Sequence, residues 1–346
     1  MFARAVNEDD TIKSALNNVI LFKVNAEKGE GVALAKKYEI TGYPSFIAIN
    51  AKGEVSDRWI GYGGPEAWST SAMMAAADPR TIEEKKVAFK SEPTIELARC
   101  LASDASTRKD SVGAIDYYRQ ARAIDTENAG EYTESILTAM FRGTRSGDFT
   151  FDEFEAEAKA SLESHEASAE QQVDLARMAL SLAQNSGEAE RSKNTAAAAP
   201  YVASALKASE GTENEAVASS RERLAIDNAL YIDGDKEEAL KLFRASMNEG
   251  WMEKSSSLNN FAWWCFENDI NLEEAGELAV RGIELAETDA DRANVLDTAA
   301  EICNKLGNCE QAVEHMERAV ELDPDRKYFQ NQLVRFQEVV AEKKAG

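Results

Sequence analysis

The pattern of apolar and polar positions changes along the chain, and its first part covers residues 19–77. Residues 19–24 form an apolar run whose one charge is Lys23, which predicts a strand buried on both faces. Residues 29–38 then place Val32 and Ala35 at helical spacing, which predicts a helix. A strand, a helix and a further strand within about thirty residues are typical of a βαβ unit.

A β-hairpin and a helix are predicted to follow. Pro44 cannot donate a backbone hydrogen bond to a sheet, so it marks the start of a strand. Residues 45–50 and 54–62 have strand character, and the polar tetrad 50–53 between them ends in the glycine that hairpin turns prefer. Pro65 then begins a helix that reaches about residue 77.

From residue 95 onward, the apolar positions follow the helical period alone. The clearest segment is 293–324, where Gly307 separates two apolar stripes and Pro324 ends the second helix. This pattern predicts two helices joined by a short turn.

Alanine positions indicate that this helix pair is repeated. Ala239, Ala275 and Ala312 lie near the start of equivalent helices and are 36 and 37 residues apart. Such a period is close to that of stacked helix pairs. At this period, residues 95–346 hold about seven pairs, with irregular boundaries in residues 127–219 and a closing helix near the C-terminus whose polar face caps the stack.

The charge of the chain narrows its partners. The net charge is −23, and only −2 of it lies in residues 1–78. A surface of this sign repels phosphate, so neither nucleic acid nor an anionic membrane surface is an expected partner. No apolar run approaches about 18 residues, so no membrane span is predicted. The acidic surface is either simply solvated or a site for a basic partner.

Cysteine and histidine positions indicate neither a metal site nor another cofactor. No two cysteines form a Cys-x-x-Cys pair, and buried free cysteines usually pack as small apolar residues. Cys303 and Cys309 flank a turn, but a disulfide between them requires Cα atoms within about 7 Å. His165 and His315 have no clustered ligands around them. The four cysteines are Cys100, Cys265, Cys303 and Cys309.

The order of elements in residues 19–62, with strand, helix, proline turn and hairpin, resembles the second half of a thioredoxin fold. The resemblance implies a cis peptide bond before Pro44. It also implies that Tyr43 offers its backbone to an extended substrate, so both are candidate substrate-binding residues. A thioredoxin carries a Cys-x-x-Cys pair at the start of the preceding helix, and none stands in this chain. No catalytic residue is therefore assigned.

The first residues of the chain suggest where the missing Cys-x-x-Cys pair is encoded. The run Met1-Phe2-Ala3-Arg4 resembles the interior of a thioredoxin active-site helix, which implies that the preceding strand and cysteines are encoded upstream. In the family that strand is central, and without it two sheet edges stay unpaired or pair with each other. Two interpretations stay open. The cost of unpaired edges favours a chain that begins late, and the other is a redox-inactive domain that closes a smaller sheet directly.

Residues 293–324 resemble a tetratricopeptide (TPR) repeat over the whole segment. In that family, the first helices of successive pairs line a groove that holds peptides or partner proteins. An aromatic side chain beside amides and carboxylates suits extended or basic peptides. Carried onto this chain, the resemblance implies the groove residues Asn260, Trp264, Glu267, Asn294, Asp297 and Glu301. Of these, Trp264 fits packing between helices equally well.

The sequence thus predicts an α/β thioredoxin-like partial domain (1–78), a charged linker (79–94) and an all-α TPR-type helical solenoid (95–346). The predicted function is a protein-protein interaction scaffold with protein or peptide clients. The alternative is a thiol-disulfide oxidoreductase whose Cys-x-x-Cys is encoded upstream of Met1. The expected compartment is cytoplasmic for the chain as given, and periplasmic or exported if a signal peptide precedes it. The oligomeric state stays open.

Overall fold

The fold is known from a computed structural model that describes residues 2–164 and 167–345, so Met1 and His165 lie outside the described residues. Helices account for 73% of the chain. The chain forms two compact units, one reaching Ser209 and the other beginning at Glu210. The first unit therefore includes the predicted N-terminal domain, the predicted linker and the first helices of the repeat region.

The first unit opens with helices around one hairpin. Pro65 lies in the first turn of its helix, where its missing N–H leaves no hydrogen bond unmade. The hairpin and the helices on either side of it lie where the hydrophobic pattern predicts them. The elements are α1 (Phe2–Glu8), α2 (Asp10–Ala15), α3 (Glu30–Lys37), β1 (Ser45–Ile49), β2 (Val55–Ile60) and α4 (Pro65–Ala77).

One face of the hairpin carries an aromatic cluster. β1 and β2 are antiparallel, with Phe46 opposite Trp59, and these two rings stack with their centroids 5.4 Å apart. Phe2 of α1 and Trp68 of α4 pack against Phe46 at 4.8 and 5.8 Å. Because Trp68 is only 4% exposed, this cluster forms the small apolar core between the hairpin and the first helices.

The prediction of a strand at residues 19–24 is wrong. Within the described residues, the sheet consists of β1 and β2, and residues 20–25 have no regular secondary structure. Ile20 is 98% exposed and Phe22 is 79% exposed, whereas a strand covered on both faces would bury them. A strand is stable only when a neighbouring strand takes up its backbone hydrogen bonds. The predicted βαβ unit is therefore not formed, and a thioredoxin-like domain is not confirmed.

Residues 79–94, the predicted linker, contain α5 (Ile82–Ser91). Thr81 and Glu84 form a capping box at its start. The Thr81 N–H donates to the Glu84 carboxylate at 2.8 Å, and the Glu84 N–H donates to the Thr81 hydroxyl at 3.2 Å. Ile82 and Phe89 pack into a core shared with α6 (Ile95–Thr107), so the segment is an ordered part of the first unit.

Buried charged side chains join the hairpin to α5 and α6. The Arg58 Nε of β2 lies 2.9 Å from Asp104 Oδ1 of α6, and these side chains are 9% and 2% exposed. Arg108 lies 2.7 Å from the other carboxylate oxygen. Lys85 of α5 donates to the Ser56 carbonyl at 2.7 Å. Removing one partner of a buried ion pair usually costs about 3–5 kcal/mol, so this cluster strongly couples the hairpin to the helices.

Helices make up the rest of both units. Within the described residues, the helices from α6 onward form six successive pairs followed by one final helix, whereas the repeat period predicts about seven pairs. In the first unit the helices after α6 are α7 (Ser111–Ile124), α8 (Ala129–Ser146), α9 (Phe151–Ser164), α10 (Ala169–Gln184) and α11 (Glu188–Ala208). The second unit contains α12 (Glu215–Asp227), α13 (Lys236–Ala245), α14 (Ser255–Asn268), α15 (Leu272–Leu285), α16 (Asp289–Lys305), α17 (Cys309–Leu322) and α18 (Lys327–Ala345).

The recurring alanines pack the second helix of each pair in the second unit. Ala239, Ala275 and Ala312 lie on α13, α15 and α17, and each is 0% exposed. A side chain this small lets neighbouring helices approach closely, which explains why the residue recurs at this place. Phe329 and Phe336 of α18 are also 0% exposed, so α18 is packed into the same core.

Candidate interaction surfaces

The predicted groove residues of α14 divide into exposed and packed side chains. Asn260 and Glu267 are exposed. Trp264 is half-buried and stacks on Phe243 of α13, with ring centroids 4.2 Å apart and planes 18° apart. Trp264 is therefore partly a packing residue, and its accessible edge lies on the same helix as two exposed polar side chains. We call Asn260, Trp264 and Glu267 the α14 surface.

The predicted groove residues of α16 contact α18 or the residue just before it. Asn294 is exposed and accepts a hydrogen bond from Arg326 at 2.7 Å. Asp297 is 8% exposed and accepts from the Tyr328 hydroxyl at 3.2 Å. Glu301 is 7% exposed; at its Oε1 it accepts from the Gln332 amide at 3.0 Å and is paired with Arg335. Asp297 and Glu301 therefore hold α18 in place and are not open to a partner in this structure.

Burial controls the ionisation of Asp297. Loss of solvent, together with the nearby Glu301 carboxylate, raises the pKa of Asp297 to about 6. The hydrogen bond from Tyr328 and the charges of Arg326 and Arg335 oppose this rise. Among the described residues, Asp297 Oδ1 has no hydrogen-bond partner. The contact between α16 and α18 thus contains a carboxyl group that titrates near neutral pH.

Tyr43 and Pro44 lie in the loop before β1. Their peptide bond is cis, as the resemblance to thioredoxins implies. Tyr43 is 62% exposed, and the Ser45 hydroxyl donates to the Gly42 carbonyl at 2.6 Å beside it. The substrate-binding role of Tyr43 and Pro44 stays a prediction.

The cysteines are poorly suited to thiol chemistry. All four are free, so Cys303 and Cys309 are not joined by a disulfide. Burial raises the pKa of Cys100 and of Cys265 to about 12, and it also raises the pKa of Cys303. Thiols with such values are protonated at neutral pH, and the thiolate is the reactive form. Cys100, Cys265 and Cys303 therefore lack the activation that a thioredoxin mechanism requires.

No group of three or more metal-ligating side chains occurs in residues 2–164 and 167–345. Burial lowers the pKa of His315. None of the helices in these ranges is long and apolar enough to cross a membrane.

Sequence reasoning missed a cleft in the first unit. It lies between α8, α9 and α10 and is lined by Leu137, Leu175 and Met178 together with Glu134 and Asp174. The repeat alignment does not extend clearly into this region, so the apolar stripes of these helices gave no indication of which side chains face each other. The available signal is the spacing of acidic residues three or four apart on α8 and α10.

No family model and no curated protein matches the sequence. Among solved structures, the chain is similar to one described as the APC/C hetero-tetramer Cut9-Hcn1. The identity is 12%, the match covers 77% of this chain and 48% of that chain, and the TM-score is 0.41. It is also similar to one described as Naa15/Naa10 bound to HypK-THB. There the identity is 17%, the coverage is 75% and 36%, and the TM-score is 0.35.

The chain spans about half or less of the length of these two proteins. Identities and TM-scores this low decide neither the fold nor the function of this chain.

Proposed function

We propose that the chain is a protein-protein interaction scaffold built from TPR-like helical repeats. The observation that carries this proposal is the complete burial of Ala239, Ala275 and Ala312 on α13, α15 and α17. These alanines recur 36 and 37 residues apart, as a stacked repeat requires. In stacked repeats, each helix pair packs against the next one. The face of each first helix that points away from this packing stays available for a partner.

The α14 surface is the proposed contact for a protein or peptide partner. Asn260 and Glu267 are exposed, so an amide and a carboxylate can bind the backbone or a basic side chain of an extended segment. The half-buried ring of Trp264 adds apolar area beside them. Aromatic residues held rigidly at a surface are common anchors of protein interfaces. Asp297 and Glu301 support this scaffold indirectly, because they hold α18 against α16.

A capture experiment tests this assignment. The double variant Asn260→Ala/Glu267→Ala should lose most of the proteins that the unaltered chain retains from a lysate of its source cells, measured by quantitative mass spectrometry. Its free energy of unfolding should change by less than about 0.5 kcal/mol, because both side chains are exposed. Trp264→Ala is a poorer test, since it also removes the contact with Phe243.

The matched control is Gln311→Ala/Glu314→Ala on α17, which removes one amide and one carboxylate from exposed positions. This control should retain the same proteins as the unaltered chain. Equal retention by both double variants would show that the α14 surface is not the partner-binding face.

A further inference from the structure

A narrow apolar cleft lies between α8, α9 and α10 in the first unit. Leu137 of α8 and Leu175 of α10 are 8% and 4% exposed, and Leu162 of α9 is 37% exposed at its side. The empty space is about 420 Å³ when the part open to solvent is included, and about 30 Å³ of it has room for the centre of a water molecule. A cleft this narrow fits a single aliphatic side chain.

Two carboxylates line this α8–α10 cleft, and two more act on one of them. Glu134 of α8 and Asp174 of α10 line it directly. Burial raises the pKa of Glu134, and the charges of Asp174, Glu170 and Glu131 raise it further. Each of these three carboxylates is therefore close enough to Glu134 to repel its negative charge.

Few cations of the chain balance these charges. Arg99 lies 3.2 Å from Glu131, and Arg177 lies 3.6 Å from Asp174. Within residues 2–164 and 167–345, no ion pair is formed by Glu134 or Glu170. Glu134, which lines the cleft, and Glu170, whose charge acts on Glu134, thus have no cation partner in the part of the chain that the structure describes.

We propose that the α8–α10 cleft binds a basic segment of a partner protein. An aliphatic side chain of that segment enters between Leu137 and Leu175, and a lysine or arginine on either side of it faces Glu134 and Glu170. Burial of the aliphatic side chain supplies affinity, and the opposite charges supply orientation and discrimination against acidic segments. Nucleic acid is excluded because its phosphates meet the same carboxylates. A free cation would use the carboxylates and leave the apolar lining unused.

This cleft is formed by residues other than those of the α14 surface, so the proposal goes beyond the function proposed above. Either assignment can fail while the other holds, because the two are tested with different variants and different probes.

The first test uses the full chain and a fluorescently labelled peptide with the core Lys-Lys-Leu-Lys-Lys, followed by fluorescence anisotropy at low salt. Glu134→Gln/Glu170→Gln should weaken binding by about tenfold, since it removes the two uncompensated charges. Raising the salt to about 0.5 M should shrink this difference, because surface charges are then screened. The matched control is Glu277→Gln/Glu284→Gln on α15, which changes the net charge equally at exposed positions and should bind like the unaltered chain.

The second test examines the aliphatic anchor. Replacing the central leucine of the peptide by alanine should weaken binding by about five- to tenfold, because less apolar surface is buried. Leu162→Asn should weaken binding of the leucine peptide and leave binding of the alanine peptide unchanged. Thermal unfolding of each variant shows whether the helices remain folded.

Three results would overturn the proposal. If both double variants weakened peptide binding equally, the overall charge of the chain, and not the cleft, would explain the binding. Identical binding of the leucine and alanine peptides would remove the role of the cleft. Calcium chloride that binds the unaltered chain through Glu134 and Glu170, with no peptide binding, would make the carboxylates a cation site.

Discussion

At Asp297, burial and charge act against each other. The carboxyl group is 8% exposed and lies beside the carboxylate of Glu301, and both features raise its pKa, which reaches about 6. A carboxyl whose pKa is higher in the folded chain than in the unfolded chain binds its proton more tightly when folded. Its stabilising contribution is complete below the ordinary value of 3.8 and is lost as the pH rises through about 6.

The variant Asp297→Asn should remove this pH dependence. The free energy of unfolding of the unaltered chain, relative to that of the variant, should fall by about 1 kcal/mol between pH 5 and pH 8. Urea unfolding of both proteins at several pH values measures the difference. Asp325→Asn provides the control, because it replaces a carboxylate by an amide at an exposed position on the loop before α18. A constant difference for Asp297→Asn would mean that this carboxyl group is solvated.

The residue scale also shows where sequence reasoning stops. Asp297 and Glu301 were predicted to line a groove because they lie opposite the packing stripe of α16. Whether such residues are exposed to solvent or covered by another helix depends on where α18 packs. The apolar pattern of α16 alone does not predict that position. Lys85 illustrates the same point, because a lysine within a charged run usually points to solvent, whereas here it is 2% exposed.

At the scale of elements, apolar spacing and turn residues predicted most helices, with one clear miss. The bounds of α4, α16 and α17 follow apolar spacing and turn residues. Residues 79–94 were interpreted as a linker but contain α5, although Thr81 and Glu84 form a capping box at its start. The hairpin was also predictable, since β1 and β2 are joined by a short turn with its own sequence signature. The prediction of a strand at residues 19–24 was wrong because a strand forms only beside a partner strand. The sequence of the segment does not show whether such a partner is present.

The repeat register makes a prediction at this scale. Ala275 is 0% exposed on α15, so Ala275→Leu should crowd the packing of the neighbouring helices and lower the free energy of unfolding by about 1–3 kcal/mol. Glu277→Leu places the same side chain at an exposed position of the same helix and should change stability by less than about 0.5 kcal/mol. Chemical unfolding monitored by circular dichroism compares the two. Similar values for both variants would contradict the stacking of repeats through this alanine.

At the scale of the whole molecule, charge and thiol chemistry limit what the chain does. A net charge of −23 repels phosphate polymers and attracts basic segments. Burial raises the pKa of Cys100 and of Cys265 to about 12, so these two thiols stay protonated at neutral pH. These properties favour binding of proteins over a redox reaction by the described residues.

The chain should therefore fail to reduce the disulfides of insulin, because the pKa of Cys100 and of Cys265 is raised to about 12. Turbidity of precipitating insulin chains in the presence of dithiothreitol, compared with thioredoxin as a positive control, measures this activity. Turnover above the rate with dithiothreitol alone, abolished by Cys100→Ala or Cys303→Ala, would assign a redox function to a cysteine of the helical region.

The sequence by itself determined the hairpin and α4 of the first unit and the repeat register of the second unit. A helix satisfies its backbone hydrogen bonds within one segment, and a short hairpin nearly does so, so local spacing and turn residues contain the necessary information. The regular spacing of Ala239, Ala275 and Ala312 then indicated that the helix pair is repeated.

Only the tertiary structure decided which polar side chains are buried and which apolar ones are exposed. Asp104, Asp297 and Glu301 are buried because a cation or a donor from a distant segment reaches each of them. Ile20 and Phe22 are exposed because no distant strand covers them in the described chain. Contacts between residues far apart in sequence depend on the mutual placement of elements, and that placement follows from the packing of the whole unit.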